Sequence, residues 1–264
     1  MAADPPSHEL RAPEHWRTLA LLSDVHLHAE EPATALAWMD ALADCQADAL
    51  FVLGDLFEVW LGDDQLKAPS PFIAECVAAL RRFSQRGALY FMHGNRDFLA
   101  SQALMDACGA SPLPDPTLLV FAGQRLLLSH GDALCLDDAG YLQFRRQVRS
   151  AAWQQAFLAR PLAEREALAR SLREQSRQQQ AQRHARGLGY SEVDAQAARQ
   201  WLQAHQATLL IHGHTHRPGR HELGEGLARE VLSDWDAQAS PARAQLLYLR
   251  RQASGLGLQR QNLP

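Results

Sequence analysis

Thr18-Leu19-Ala20-Leu21-Leu22-Ser23-Asp24-Val25-His26 is an apolar run that closes on a carboxylate and an imidazole. The run reads as a buried strand, and the pair at its end reads as metal chemistry. Asp24 and His26 fall on the same side of an extended segment, so both can reach one ion. The same pattern recurs four times. Phe51-Val52-Leu53 ends in Gly54-Asp55, and residues 88–92 lead to Gly94-Asn95-Arg96-Asp97. Residues 125–129 lead to His130-Gly131-Asp132, and 208–211 to His212-Gly213-His214-Thr215-His216. One such strand end is ordinary, but five in one chain point to a shared site.

A lone zinc is satisfied by about four ligands, often Cys and His. This set is mostly carboxylate and imidazole with one amide, which suits Mn, Fe or Zn. Two cations about 3.5–4 Å apart need an anion between them. Asp55 fits that place, because it stands alone after its strand whereas Asp24 has a histidine two residues on. His212 and His214 share the same two-residue spacing and could divide between two ions. His216 reads either as a residue behind the ligands or as a plain turn residue. Asp97 and Asp132 read as orienting ligands or backbone, and His28 and His93 as structural.

The strand-like runs at 18–23, 49–53, 88–92, 118–121, 125–129 and 208–211 alternate with helical patterns at 34–46, 71–85 and 98–108. That alternation predicts a layered α/β domain. Residues 228–232 and 244–250 read as antiparallel strands closing a second sheet. The core is expected over 16–137 and 190–250. Residues 1–15 read as a disordered lead without a secretion signal, and 251–264 as a loose tail.

The 264 residues carry a formal charge of −4, and no apolar run approaches 18 residues, so no membrane-spanning helix is expected. Cys45, Cys76, Cys108 and Cys135 are scattered without a C-x-x-C pair, the usage of reduced cytosolic thiols. Cys135 reads as a neighbour of the site rather than a ligand.

Residues 141–186 stand apart. They hold ten arginines against three acids, a formal +7, and no strand signal. Tyr141, Phe144, Val148, Trp153, Phe157, Leu158, Leu162, Leu168 and Leu172 recur largely at helical steps. The expectation is a helical insert over 138–189 that projects across the site as a lid. Its apolar side would form an acyl groove and its arginines a rim for diphosphate or an anionic membrane. The plain alternative is a solvated helix pair whose apolar face is core. The net acidity and sparse aromatics weigh against nucleic acid, and no protein partner is inferred.

The order D-x-H, GD, GN, HGD, HGHTH resembles the calcineurin-type metallophosphoesterases over roughly residues 18–218. That resemblance implies an α/β-β/α four-layer sandwich. It implies the metal ligands Asp24, His26, Asp55, Asn95, His130, His212 and His214, with Asp55, Asn95, Arg96, His130 and His212 catalytic. Ser23–Leu27, Gly54–Trp60, Gly94–Phe98 and His212–Pro218 further resemble the UDP-2,3-diacylglucosamine hydrolases. This implies cleavage of a lipid-linked nucleotide, UDP-2,3-diacylglucosamine, to UMP and 2,3-diacylglucosamine 1-phosphate. It also implies two Mn2+, a bridging hydroxide as nucleophile at the α-phosphorus, and peripheral contact with the cytoplasmic face of the inner membrane. Carried over by motif position, substrate contacts fall on Asn95, Arg96, Asp138, Ser176, Gln180, Arg183 and His212, with Gln180 and Arg183 standing where Asn and Lys are usual. Trp60 and Asp63-Asp64 also match, or else serve as a loop anchor and solvated acids.

Arg96 supports the narrower resemblance on chemical grounds. Related enzymes that release an alkoxide place a proton-donating histidine there, and an arginine donates no proton. A phosphate leaving group needs none, and a guanidinium can neutralise a diphosphate through paired hydrogen bonds. The competing expectation is a two-metal phosphoesterase acting on soluble nucleoside diphosphate compounds or phosphodiesters. A third, a scaffold without catalysis, conflicts with the complete ligand set.

Overall fold

Period-two alternation within each apolar run sorts its side chains into two layers. The computed structural model describes residues 8–185 and 191–263, with backbone alone at 175–177 and 179–185. Its strands are β1 (His8–Arg11), β2 (Thr18–Leu22), β3 (Ala49–Leu53), β4 (Ala88–Met92), β5 (Ser111–Leu113), β6 (Thr117–Phe121), β7 (Gln124–Ser129), β8 (Leu209–His212), β9 (Gly219–Gly224), β10 (Leu227–Val231), β11 (Gln245–Gln252) and β12 (Gly255–Asn262). The helices are α1 (Pro32–Asp44), α2 (Pro71–Ser84), α3 (Gln102–Cys108), α4 (Ala139–Val148), α5 (Ala151–Leu158), α6 (Leu162–Ala185) and α7 (Ala195–Ala204).

Two mixed sheets face each other, ordered β12-β11-β2-β3-β4-β5 and β1-β6-β7-β8-β10-β9. Leu19, Leu21, Phe51, Leu53, Leu126, Leu128 and Ile211 fill the space between them. The alternate residues point outward. Ala20, Leu22, Leu50 and Val52 pack under α1, α2 and α3, and Leu127 and Leu210 pack under α7. Each fully buried Leu contributes about 1.5–3 kcal/mol. The result is the expected four-layer α/β-β/α sandwich.

β2, β3 and β4 run parallel, as do β7 and β8. Their carboxyl ends therefore gather the five motifs, the usual place for ligands in such sheets.

Several boundaries differ from the sequence reading. β10 and β11 do not close one sheet together: β10 pairs parallel with β8, and β11 antiparallel with β2 in the other sheet. Part of the expected disordered lead is β1, paired with β6. Part of the expected loose tail is β12, which returns along β11 from a two-residue turn at Ala253-Ser254 with Gly255 at φ 118°. Both are edge strands. Backbone pairing holds them, so their largely polar side chains carry little apolar signal.

The insert is three helices, α4, α5 and α6. Ser150 caps α5 and Asp138 caps α4. Its expected end at 187–189 lies outside the described residues. Much of its apolar face is core: Val148 and Phe157 are buried, and Trp153, Leu162 and Leu168 pack on the helical layer. Four of its arginines anchor it. Arg145 reaches Asp132 at 2.7 Å, Arg149 reaches Gly94 O at 2.8 Å, Arg165 pairs with Asp64, and Arg173 pairs with Glu58. Arg146, Arg160 and Arg170 are exposed.

Candidate metal centre

The motif loops are laced together by backbone before any side chain acts. Asp24 N donates to Gly54 O at 3.1 Å, His26 N to Asp55 O at 3.1 Å, and Gly213 N to His130 O at 3.0 Å. Asp97 accepts from Gly94 N and Leu56 N at 2.8 Å each and from Asp55 N at 3.3 Å. It thus binds the third motif to the second, an orienting role as expected. Gly94 permits this approach, since a Cβ there would run into the Asp55 carboxylate and amide. A Cβ on Gly213 would likewise meet Asp24 and Ser23.

The backbone is strained where the donors sit. Eight non-glycine residues among those described have φ in the left-handed range, and five are Asp24, His26, Asp55, His214 and His216. Such conformations cost on the order of 1 kcal/mol each and persist where a site requires them.

The side chains form two adjoining groups. Asp24, His26 and His216 bring one donor atom each within 4.8 Å of the others, and so do Asp24, Asp55 and His130. His26 Nε2 lies 3.4 Å from His216 Nε2, and His216 Nε2 lies 3.4 Å from Asp24 Oδ1. In the second group Asn95 Oδ1 stands 3.0 Å from His130 Nε2 and 2.9 Å from His214 Nδ1. His130 Nδ1 faces Leu53 O at 2.9 Å, which leaves Nε2 turned to the site. Asp24 Oδ1 is buried without an aligned hydrogen-bond partner. A buried orphan carboxylate oxygen beside clustered carboxylates and imidazoles fits a pair of divalent cations.

The electrostatics agree. Burial would lower the His130 imidazole, but Asp55, Asp132 and Asp24 outweigh it and push it up to about 9. Burial raises Asp55, against the opposing charges of His130 and His26. Burial acts to raise Asp24 too, yet the approach of His216 and the charge of His130 hold it well below the carboxylate range. Burial and the charge of His130 push His214 down to about 3, so it is a neutral donor.

His212, expected as a ligand, is not brought into either group. It is the last residue of β8 and shares the outward face of Leu210. Its Nδ1 is 2.8 Å from Gly213 O and its Nε2 is 3.5 Å from Arg229 Nη1. The chain turns after it, so the two-residue spacing no longer keeps side chains on one face. His216 is the histidine of this motif whose donor atom lies beside those of Asp24 and His26. Arg229 is in turn held by Glu192 at 2.8 Å, and a Cβ on Gly131 of the fourth motif would lie 2.9 Å from His212 Nδ1.

Arg96 stands at the rim, one-third exposed, with Nη1 3.1 Å from Glu58 Oε1 and its amide donating to Asp55 Oδ1 at 2.8 Å. Asp138, expected at the substrate, caps α4 through Tyr141 N at 2.9 Å. Ser176, Gln180 and Arg183 fall on α6 with side chains outside the described residues. Trp60 Nε1 donates to Asp63 Oδ1 at 2.8 Å, which makes the pair a loop anchor. His93 faces Ala100 O at 2.7 Å. Cys135 is buried, its Sγ 3.9 Å from Gly131 O, a neighbour of the site. Sequence reasoning missed Tyr141, whose hydroxyl donates to Asp132 at 2.6 Å and whose ring stacks on His214 at 5.9 Å. Tyr141, Arg145 and Arg149 recur every four residues on α4, and that spacing was the available signal.

With this geometry in view, the chain matches the calcineurin-like phosphoesterase family over residues 17–218. The chain belongs to that family. It is 48% identical to the UDP-2,3-diacylglucosamine hydrolase of Chromobacterium violaceum over 81% of this chain and 89% of that one. It is 43% identical to the enzyme of the same name from Bordetella pertussis, over 88% and 92%. These relatives place it, within the calcineurin-like phosphoesterases, in the UDP-2,3-diacylglucosamine hydrolase family. A dimetal phosphatase from Danio rerio shares the fold, with a TM-score of 0.51 at 14% identity over 94% of this chain and 99% of that one.

Proposed function

We propose that this chain hydrolyses the pyrophosphate bond of UDP-2,3-diacylglucosamine, giving UMP and 2,3-diacylglucosamine 1-phosphate. The observation that carries the reading is the two-group donor set with Arg96 at its rim. Asp24, His26 and His216 would hold one Mn2+, and Asn95, His130 and His214 the other, with Asp55 shared. Bound there, the cations supply Lewis-acid charge to the phosphoryl oxygens and lower the pKa of a water towards neutrality. Arg96 neutralises diphosphate charge as it develops and requires no proton transfer to the departing phosphate. Asn95 and His130 orient the α-phosphate. Asp97 keeps the Asp55 loop rigid, so little reorganisation accompanies the reaction.

The acyl chains are assigned to the insert. A cleft of about 410 Å³ runs between the third motif and the insert, with Phe98, Leu99 and Leu158 on its apolar side and His93, Arg149 and Gln154 on its polar side. Phe144 and Leu158 are exposed beside the arginines of α4, α5 and α6. That composition supports peripheral contact with an anionic membrane at the cytoplasmic face of the inner membrane. No described helix is long and apolar enough to cross a membrane.

The test is turnover by purified protein with Mn2+, offered UDP-2,3-diacylglucosamine beside UDP-N-acetylglucosamine and bis(p-nitrophenyl) phosphate. UMP release from the diacylated compound alone is expected. Cleavage of the soluble compounds alone would overturn the lipid assignment and keep the metal centre.

A further inference from the structure

Glu58 follows Asp55 by three residues, and neither the metal ligands nor the expected substrate contacts include it. Its loop is fixed from both sides. Glu58 N donates to Leu27 O at 3.2 Å, and Trp60 N donates to Arg96 O at 3.0 Å. The side chain is therefore presented in one place, 15% exposed. Its two oxygens divide their partners. Oε2 lies 3.1 Å from His26 Nδ1, a charge contact rather than an aligned hydrogen bond. Oε1 receives Arg96 Nη1 at 3.1 Å and also Arg173 from α6.

Each contact has a consequence. The negative charge of a carboxylate beside Nδ1 of His26 favours the tautomer protonated there, leaving Nε2, which faces His216, as the donor. A carboxylate between two guanidiniums offsets their repulsion and holds both at the rim of the metal centre. Arg173 lies on the insert and Arg96 on the core, so Glu58 is also the point where α6 is tied to the site. Two guanidiniums sharing one carboxylate oxygen repel each other, and the charge of Glu58 offsets that repulsion.

We propose that Glu58 is a positioning residue. Through one oxygen it orients the metal-binding face of His26, and through the other it holds Arg96 and Arg173 together as a paired cationic clamp for the substrate's diphosphate, with α6 closed over the site. The clamp rests on the pyrophosphatase reading above, whereas the orientation of His26 and the tethering of α6 do not.

Glu58→Gln keeps size and one acceptor while removing the charge, and Glu58→Ala removes both. Both should keep the wild-type melting profile within a few degrees, since the carboxylate lies outside the apolar core. Mn2+ affinity, measured by calorimetry without substrate, should fall about 10–100-fold in Glu58→Ala and less in Glu58→Gln. Hydrogen exchange over the first half of α6 should quicken in both Glu58→Ala and Arg173→Ala. With saturating Mn2+, Glu58→Ala should raise KM for UDP-2,3-diacylglucosamine more than it lowers kcat, and the Glu58→Ala/Arg173→Ala pair should be strongly non-additive. Wild-type metal affinity and wild-type α6 exchange in Glu58→Ala would overturn the positioning role. Additive effects of the two substitutions on KM would overturn the clamp. If the wild-type protein fails to cleave the lipid substrate, the pyrophosphatase reading and the clamp fall together, while the calorimetry and exchange still decide the role of Glu58.

Discussion

His216 Nε2 lies 3.4 Å from Asp24 Oδ1, joining the last motif to the first. On the metal assignment proposed above, the last histidine of His212-Gly213-His214-Thr215-His216 would complete one group in place of the first. His216→Ala should bind one equivalent of Mn2+ fewer and lose about 10²-fold or more in turnover, because several kcal/mol of charge stabilisation is at stake. His212→Ala should keep both ions and lose stability instead. Metal analysis of the two dialysed variants separates these outcomes, and loss of an ion from His212→Ala would reverse the assignment.

Asp55 Oδ1 lies 3.8 Å from His130 Nε2 and is proposed as the shared ligand, so Asp55→Ala should abolish turnover. The fold should survive, since Asp97 retains its bonds to Gly94 N and Leu56 N. Circular dichroism alongside a UMP-release assay checks both halves, and near-normal turnover would sink the shared-ligand role.

Arg96→Ala should reduce kcat by about 10²–10³-fold, the effect of losing one stabiliser of developing charge. Metal content should stay close to wild type, since no guanidinium ligates a cation. Parallel loss of metal and activity would show that Arg96 acts by holding Asp55.

Arg165 is 1% exposed and pairs with Asp64, which is 42% exposed. Asp64→Asn should leave a buried guanidinium poorly compensated and cost about 1–3 kcal/mol, less than a fully buried pair because solvent screens Asp64. The hydrogen bonds and charge of Arg165 hold Asp64 below its usual range against partial burial. The stability from this pair is therefore present above the unfolded carboxyl value and lost as pH falls through the folded one. Thermal denaturation of both proteins at neutral and acid pH measures it. Equal destabilisation by the substitution at both pH values would contradict the charge argument.

Metal uptake should release a proton. In the metal-free protein His130 is pushed up to about 9, so it carries a proton at neutral pH that a cation must displace. The stabilising interaction of that imidazolium is present below the unfolded histidine value and lost as pH rises through about 9. Mn2+ affinity should accordingly rise with pH towards 9. Calorimetric titrations in two buffers of different ionisation enthalpy count the protons, and a count of zero would refute the linkage.

Most of the architecture was legible in local pattern. The interior strands β3 and β4 appear at their expected bounds, β2, β6 and β7 differ by a residue at one end, and β8 is shifted by one residue at both ends, because strands buried on both faces must be continuously apolar. β1 and β12 were not legible, since edge strands are held by backbone pairing and their side chains need not be apolar. The pairing of β10 with β8 was not legible either: an apolar run states that it is buried, not which sheet buries it.

For the site, the sequence by itself determined which chemistry is present: five strand ends carrying carboxylates, imidazoles and one amide, with an arginine where related enzymes place an acid. Residue type and strand period are local properties, and they suffice for that much. Only the tertiary structure decided which donors meet. His214 and His216 meet Asn95 and Asp24 because the backbone turns through left-handed φ after β8, while His212 ends the strand beside Gly131. Glu58 meets His26, Arg96 and Arg173 because three loops and a helix converge on it. Convergence of segments far apart in sequence is set by packing of the two sheets, and no local pattern encodes it.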